Sequence, residues 1–205
     1  MRLFIAGLIT MAITISTVAQ EKKTILIFGD SITAGYGIDP GDAFPAILQQ
    51  KIDSLGLHYL VINGGLSGET SAGGLRRINW VLQRKIDIIL IELGGNDGLR
   101  GIDLISTKGN LQGIIDVART KYPNMKLILA GMQVPPNLGI EYTRDFQLLY
   151  TELAEKNNIT LIPTILNEVG GQDDLMQPDG IHPNVAGHKV VAETVWKFLK
   201  PIILQ

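Results

Sequence analysis

A chain of 205 residues holds 18 lysines and arginines against 20 aspartates and glutamates, a formal net charge of −2, and no cysteine. That balance, with no basic cluster, provides no electrostatic footprint for nucleic acid. The lack of cysteine excludes disulfides, thiolate nucleophiles, cysteine-ligated zinc and a lipidated cysteine anchor.

In chain order, Arg2, the apolar stretch Leu3 to Ile15, the small-x-small site Thr17-Val18-Ala19 and the polar Gln20-Glu21-Lys22-Lys23 have the layout of a secretory signal peptide. The apolar stretch is short for a bilayer span, so cleavage after Ala19 is expected rather than a stable membrane anchor. Residues 20–205 are then expected as one exported domain, periplasmic or secreted.

Ile25-Leu26-Ile27-Phe28 runs without alternation, which suits a strand buried on both faces of a parallel sheet, and breaks at Gly29-Asp30-Ser31. Asp42 is placed to cap a helix carrying Phe44, Ile47, Leu48, Ile52 and Leu55, which Gly56 ends. Tyr59 to Asn63 reads as a short second strand, followed by the loop Gly64 to Thr70. The next helix, through Leu75, Ile78, Val81 and Leu82, has a start that Gly73 and Gly74 tend to delay. Ile86 to Leu93 is a third, nearly all-apolar strand running into the turn Gly94-Gly95-Asn96-Asp97-Gly98. A helix using Leu111, Ile114, Ile115 and Val117 stops before Pro123. Lys126 to Met132 is a fourth strand, Tyr142 to Lys156 a helix, Ile159 to Ile162 a fifth strand, and Val185 to Leu199 the last helix. Five strands alternating with helices predict an α/β fold, a doubly wound three-layer α/β/α sandwich.

Ligands of open α/β sheets bind outside the carboxyl ends of the strands, where Ser31 falls. A serine nucleophile needs a base and a group to orient that base. His58 precedes the second strand, at the opposite end of the sheet, and His188 lies on the last helix beside Lys189 and reads as solvated. His182 lies in Pro178-Asp179-Gly180-Ile181-His182-Pro183, where Asp179 is one turn away and able to orient the imidazole. Gly68 and Asn96 can offer N–H donors to an oxyanion, although both also suit ordinary turns, and Thr70 suits a helix cap.

Gly29-Asp30-Ser31-Ile32, Gly68, Gly94-Gly95-Asn96-Asp97 and Asp179-Gly180-Ile181-His182-Pro183 together resemble the four blocks of the SGNH (GDSL-type) hydrolases, with Ile32 where the name motif has leucine. Gly35-Tyr36-Gly37, Leu66 to Thr70 and Glu92 to Gly101 are most similar to the branch holding the bacterial periplasmic thioesterase I/lysophospholipases and arylesterases. The resemblance implies a flavodoxin-like five-stranded parallel sheet, with Ser31 as nucleophile, His182 as base and then acid, and Asp179 as its orienter. It implies an oxyanion hole of Ser31, Gly68 and Asn96, with Asp30 and Thr70 as supports. It also implies an acyl channel lined by loops carrying Leu99, Val134, Pro135, Pro136 and Leu138, whose apolar side chains suit an acyl chain. Arg100 is open to two readings, an anionic-headgroup contact or a solvated side chain.

The expected function is that of a monomeric serine esterase acting on lysophospholipids, acyl esters or thioesters, with no metal and no cofactor. A carbohydrate O-deacetylase on the same fold is the alternative. A flavodoxin-like phosphate or flavin binder, with Ser31 and Thr33 cradling the phosphate, leaves Asn96, Asp179 and His182 without a task. One useful histidine is a poor metal-ligand set.

Overall fold

The computed structural model describes residues 21–134 and 138–205. The expected signal peptide, residues 1–19, and Pro135 and Pro136 lie outside the described residues. The strands are β1 (Lys23–Gly29), β2 (Tyr59–Gly65), β3 (Ile88–Glu92), β4 (Lys126–Ala130) and β5 (Thr160–Ile162). They form one parallel sheet in the order β2-β1-β3-β4-β5. The helices are α1 (Ser31–Ala34), α2 (Phe44–Ser54), α3 (Ser71–Val81), α4 (Gly95–Leu99), α5 (Leu104–Lys121), α6 (Ile140–Asn157) and α7 (Val185–Ile203).

This order explains why the predicted strands read as unbroken apolar runs. The connection from β1 to β2 moves one way across the sheet, while those from β2 to β3, β4 and β5 move the other. Right-handed crossovers then place their helices on opposite faces. Accordingly α2 packs with α7, while α3 packs with α5 and α5 with α6. Both faces are covered, and Ile25, Leu26, Ile27 and Phe28 of β1 and Ile89, Leu90 and Ile91 of β3 are fully buried. Each such side chain contributes roughly 1.5–3 kcal/mol of burial. The reversal of direction also opens a crevice at the carboxyl ends of β1 and β3, the two strands that carry Gly29 and Glu92 as register partners.

Several local details depart from expectation. The start of α3 is not delayed: Thr70 caps it by accepting the Gly73 N–H at 3.3 Å, and Ser71 is its first residue. Gly74 has a packing role, because a Cβ there would come within 2.4 Å of Leu93 Cδ1. The predicted turn Gly94 to Gly98 is instead the short helix α4, entered through Gly94 at φ 110°. The last helix continues past Leu199, through Pro201, to Ile203.

Asp42 does not cap α2. It closes a 3-10 turn, Pro40–Asp42, and α2 starts after Ala43 with no side-chain cap of its own helix end. The Phe44 N–H is instead accepted by Nδ1 of His188 at 3.2 Å. His188 is thus a buried residue of α7, on the face it shares with Val191, Ala192, Val195 and Leu199, not a solvated one. Burial pushes its imidazole down from 6.5 to about 4. A base held neutral in this way stabilises the fold fully above pH 6.5, and that contribution is lost as pH falls through about 4. On urea titration the wild type is expected to lose up to about 3 kcal/mol between neutral pH and pH 4 relative to His188→Asn, which keeps an acceptor but does not titrate. Parallel pH profiles of the two proteins would contradict this role.

Candidate active site

Ser31 opens α1 immediately beyond the end of β1. Asp30 caps that helix, its Oδ1 accepting the Ile32 N–H at 3.0 Å, and Gly35 closes it with a left-handed φ of 76°. The cap presents Ser31 in the crevice, where the side chain is nearly buried but its Oγ meets His182 Nε2 at 2.9 Å.

His182 is held by its own loop. Asp179 Oδ1 accepts the N–H groups of Ile181 at 2.9 Å and His182 at 3.0 Å, while Oδ2 takes Nδ1 of His182 at 2.7 Å. These bonds, the His182 backbone N–H first, hold the Asp179 carboxyl down at about 2. Asp179 is therefore an acceptor at any ordinary pH, which places the His182 proton on Nδ1 and leaves Nε2 to accept from the serine hydroxyl. Gln177 ties this loop to the first one, donating to the carbonyls of Tyr36 at 2.7 Å and Pro183 at 2.9 Å. The Tyr36 ring lies 4.7 Å from the His182 ring, centroid to centroid.

Asn96, in α4, lies beside the same turn: its Nδ2 donates to Asp30 Oδ2 at 3.0 Å. An amide has two N–H bonds, so fixing one on Asp30 orients the other. Gly68 sits on the neighbouring loop at φ 79°, a left-handed conformation suited to glycine. That loop is joined to the end of β1 by the Leu66 N–H to Gly29 O bond at 3.0 Å. Arg100 Nη2 donates to Gly68 O at 3.2 Å, so Arg100 is tied to this loop rather than simply solvated. Among the described residues, neither the Ser31 N–H nor the Gly68 N–H has a hydrogen-bond acceptor.

Of the expected acyl-channel residues, Leu99 and Leu138 are exposed. Val134 is not: it is buried, and both it and Phe146 close on Gly98, where a Cβ would lie 2.2 Å from Val134 Cγ1. Pro135 lies outside the described residues.

Two buried acids lie behind the serine. Burial raises Asp30 to about 6. Glu92, at the end of β3, is fully buried and is raised well above the carboxylate range, first by burial and then by the Asp30 charge. Its Oε2 accepts the Thr33 hydroxyl at 2.6 Å and the Asp30 N–H at 3.3 Å. The four motif blocks leave Thr33 and Glu92 without a role in this turn; a sequence signal for Glu92 is that it is a single acid ending an otherwise apolar strand. Asp97 is a third buried acid, which accepts the Ser71 N–H at 2.8 Å and the Thr107 hydroxyl at 3.3 Å and so joins α3, α4 and α5.

No group of three or more potential metal ligands is found among the described residues. Nor is any helix among them long and apolar enough to cross a membrane. His58 lies at the opposite end of the sheet, where its carbonyl accepts the Lys23 N–H at the start of β1.

Residues 27–190 match the GDSL-like Lipase/Acylhydrolase family. Esterase TesA of Pseudomonas aeruginosa is 39% identical over 194 residues, covering 94% of this chain and 96% of that one. Thioesterase 1/protease 1/lysophospholipase L1 of Escherichia coli is 37% identical over 186 residues, covering 90% and 87%. The crystal structure of psychrotrophic esterase EstA from Pseudoalteromonas sp., inhibited by monoethylphosphonate, superposes with a TM-score of 0.84 at 33% identity, covering 90% of this chain and all of that one. With the four motif blocks brought to one crevice and the match spanning most of its length, the chain belongs to the GDSL-like lipase/acylhydrolase family, the SGNH hydrolases.

Proposed function

We propose that this protein is a serine esterase working through Ser31, His182 and Asp179. The observation that carries the reading is the continuous hydrogen-bonded line from Ser31 Oγ through the His182 ring to Asp179. Ser31 Oγ attacks the carbonyl carbon of an ester or thioester as its proton passes to His182 Nε2. The negative charge that develops on the carbonyl oxygen is met by the N–H groups of Ser31, Gly68 and Asn96. Collapse of the tetrahedral intermediate expels the alcohol or thiol, which takes the proton from His182, and leaves an acyl-Ser31 ester. Water, deprotonated by the same His182, then attacks that ester and releases the carboxylic acid and the free serine.

The substrates proposed are small acyl esters, acyl thioesters and lysophospholipids. Support comes from the names of the relatives and from the exposed apolar side chains of Tyr36, Leu99, Leu138 and Ile181. We further propose that residues 1–19 are removed on export, leaving one monomeric catalytic domain in the periplasm or outside the cell.

A chain-length series of p-nitrophenyl esters, run beside acyl thioesters and lysophosphatidylcholine, tests the substrate class. Hexanoyl and octanoyl esters are expected to be turned over at least as efficiently as acetyl. One further apolar methylene in a pocket changes kcat/KM by about 10-fold at the lower end. A sharp preference for acetyl would instead favour the carbohydrate O-deacetylase reading.

A further inference from the structure

We infer that Glu92 is a positioning residue for the nucleophile turn, holding Asp30 where it both caps the serine helix and aligns the Asn96 amide. This rests on the esterase reading above.

In sequence, Glu92 is the one charged residue in a strand of isoleucine and leucine, and it faces Gly29 across the β1–β3 ladder. An apolar residue there would match its neighbours and bury no carboxyl group. Instead the carboxyl group lies fully buried with Oε1 unpartnered among the described residues. Burial of an unsatisfied polar atom opposes folding, so its retention calls for another role. No ionised side chain of opposite sign contacts Glu92 or Asp30 in the ion pairs of the described residues; the nearby Arg77 is engaged by Glu69 and the Gly64 carbonyl. Two adjacent buried carboxyls without a cation cannot both ionise readily, and burial, then the Asp30 charge, raises Glu92 above its ordinary value.

The carboxyl group fits the space beneath the turn. A Cβ at Gly29 would lie 2.3 Å from Glu92 Oε2 and 2.1 Å from Thr33 Oγ1, so the glycine of Gly-Asp-Ser is required by this carboxyl group. Oε2 bonds both ends of the turn, the Asp30 N–H and the Thr33 hydroxyl, with Ser31 between them. Asp30 is thereby fixed at its backbone, with one carboxylate oxygen on the Ile32 N–H and the other on Asn96 Nδ2. The chain of contacts runs from Glu92 through Asp30 to the amide proposed to meet the oxyanion. Donors aimed before reaction need no reorganisation as charge develops, and misaimed ones lose most of their effect on kcat.

Glu92→Leu and Glu92→Gln, compared with wild type, test this. Glu92→Leu is similar in size but leaves the buried Thr33 hydroxyl and Asp30 N–H without their acceptor, so its thermal midpoint is expected to fall modestly while the fold is kept. Its kcat on a p-nitrophenyl ester should fall by about 10-fold or more with KM within about twofold, and fluorophosphonate inactivation should slow in parallel. Glu92→Gln, which keeps an acceptor for the Asp30 N–H and Thr33, should recover kcat to within about threefold of wild type. A folded Glu92→Leu enzyme with wild-type kcat overturns the inference, as does a Gln variant as impaired as the Leu variant. Should Glu92→Leu fail to fold, Thr33→Val removes the hydroxyl partner at constant shape; a fall in kcat at constant KM supports the inference, and wild-type kcat overturns it. Ser31→Ala assayed alongside separates the two levels. Activity in Ser31→Ala overturns the esterase reading itself, whereas an inactive Ser31→Ala beside a fully active Glu92→Leu overturns only the role of Glu92.

Discussion

Ser31→Ala is expected to lower kcat on p-nitrophenyl esters by about 10⁴- to 10⁶-fold. The substitution removes only Oγ, the atom 2.9 Å from His182 Nε2, so the fold and the thermal midpoint should stay close to wild type. His182→Ala is expected to fall by a comparable factor, and the double variant by little more. The two side chains form one proton-transfer unit, and removing either disables the other. Additive losses, or a His182→Ala enzyme within about 10-fold of wild type, would mean that the base lies elsewhere.

Asn96→Ala should cost about 10²- to 10³-fold in kcat with little change in KM, the signature of a donor engaged mainly in the transition state. Its Nδ2 bond to Asp30 makes a control necessary, because the truncation also removes a partner from a buried carboxylate. Asp30→Asn keeps the cap geometry available but weakens the charge that aims the amide. It should therefore lose less kcat than Asn96→Ala, and combining the two should add less than the sum of their separate effects. A loss below about fivefold in Asn96→Ala would remove it from the oxyanion hole.

The main line of the site was legible because its chemistry lies on loops. Apolar runs ending in Gly-Asp-Ser and in Gly-Gly-Asn-Asp mark strand ends, and strand ends in a parallel sheet are where ligands gather. Asp179 and His182 are three residues apart, so local spacing alone brings them together. What escaped the sequence depends on pairings between distant segments. Glu92 meets Gly29 only through the β1–β3 register, and nothing in either strand alone specifies that partner. His188 reads as solvated from the polar Lys189 beside it, whereas its own helical face carries Val191, Ala192 and Val195. Val134, on a loop that the family resemblance assigns to the acyl channel, is buried in the hollow left by the glycine at position 98. The turn expected from Gly94 to Gly98 became a helix because Asp97 is held by Ser71 and Thr107, which tertiary packing supplies and local preference does not.

The buried acids also indicate where stability has been exchanged for chemistry. Asp30 and Glu92 both have folded pKa values above their ordinary ones. The folded state then holds protons more tightly than the unfolded one, so each destabilises the fold as pH rises through the ordinary carboxylate range and beyond. His188 acts in the opposite direction over pH 6.5 to about 4. Asp30 and Glu92 lie at the nucleophile turn, whereas His188 secures α2 to α7.

Covalent trapping addresses the nucleophile directly. Wild-type protein treated with one equivalent of an alkyl fluorophosphonate, digested and sequenced by mass spectrometry should carry a single adduct, on the peptide containing Gly29-Asp30-Ser31, with activity lost in proportion. Ser31→Ala should remain unlabelled. Stoichiometric labelling at another residue, or full esterase activity in protein quantitatively modified at Ser31, would contradict the account.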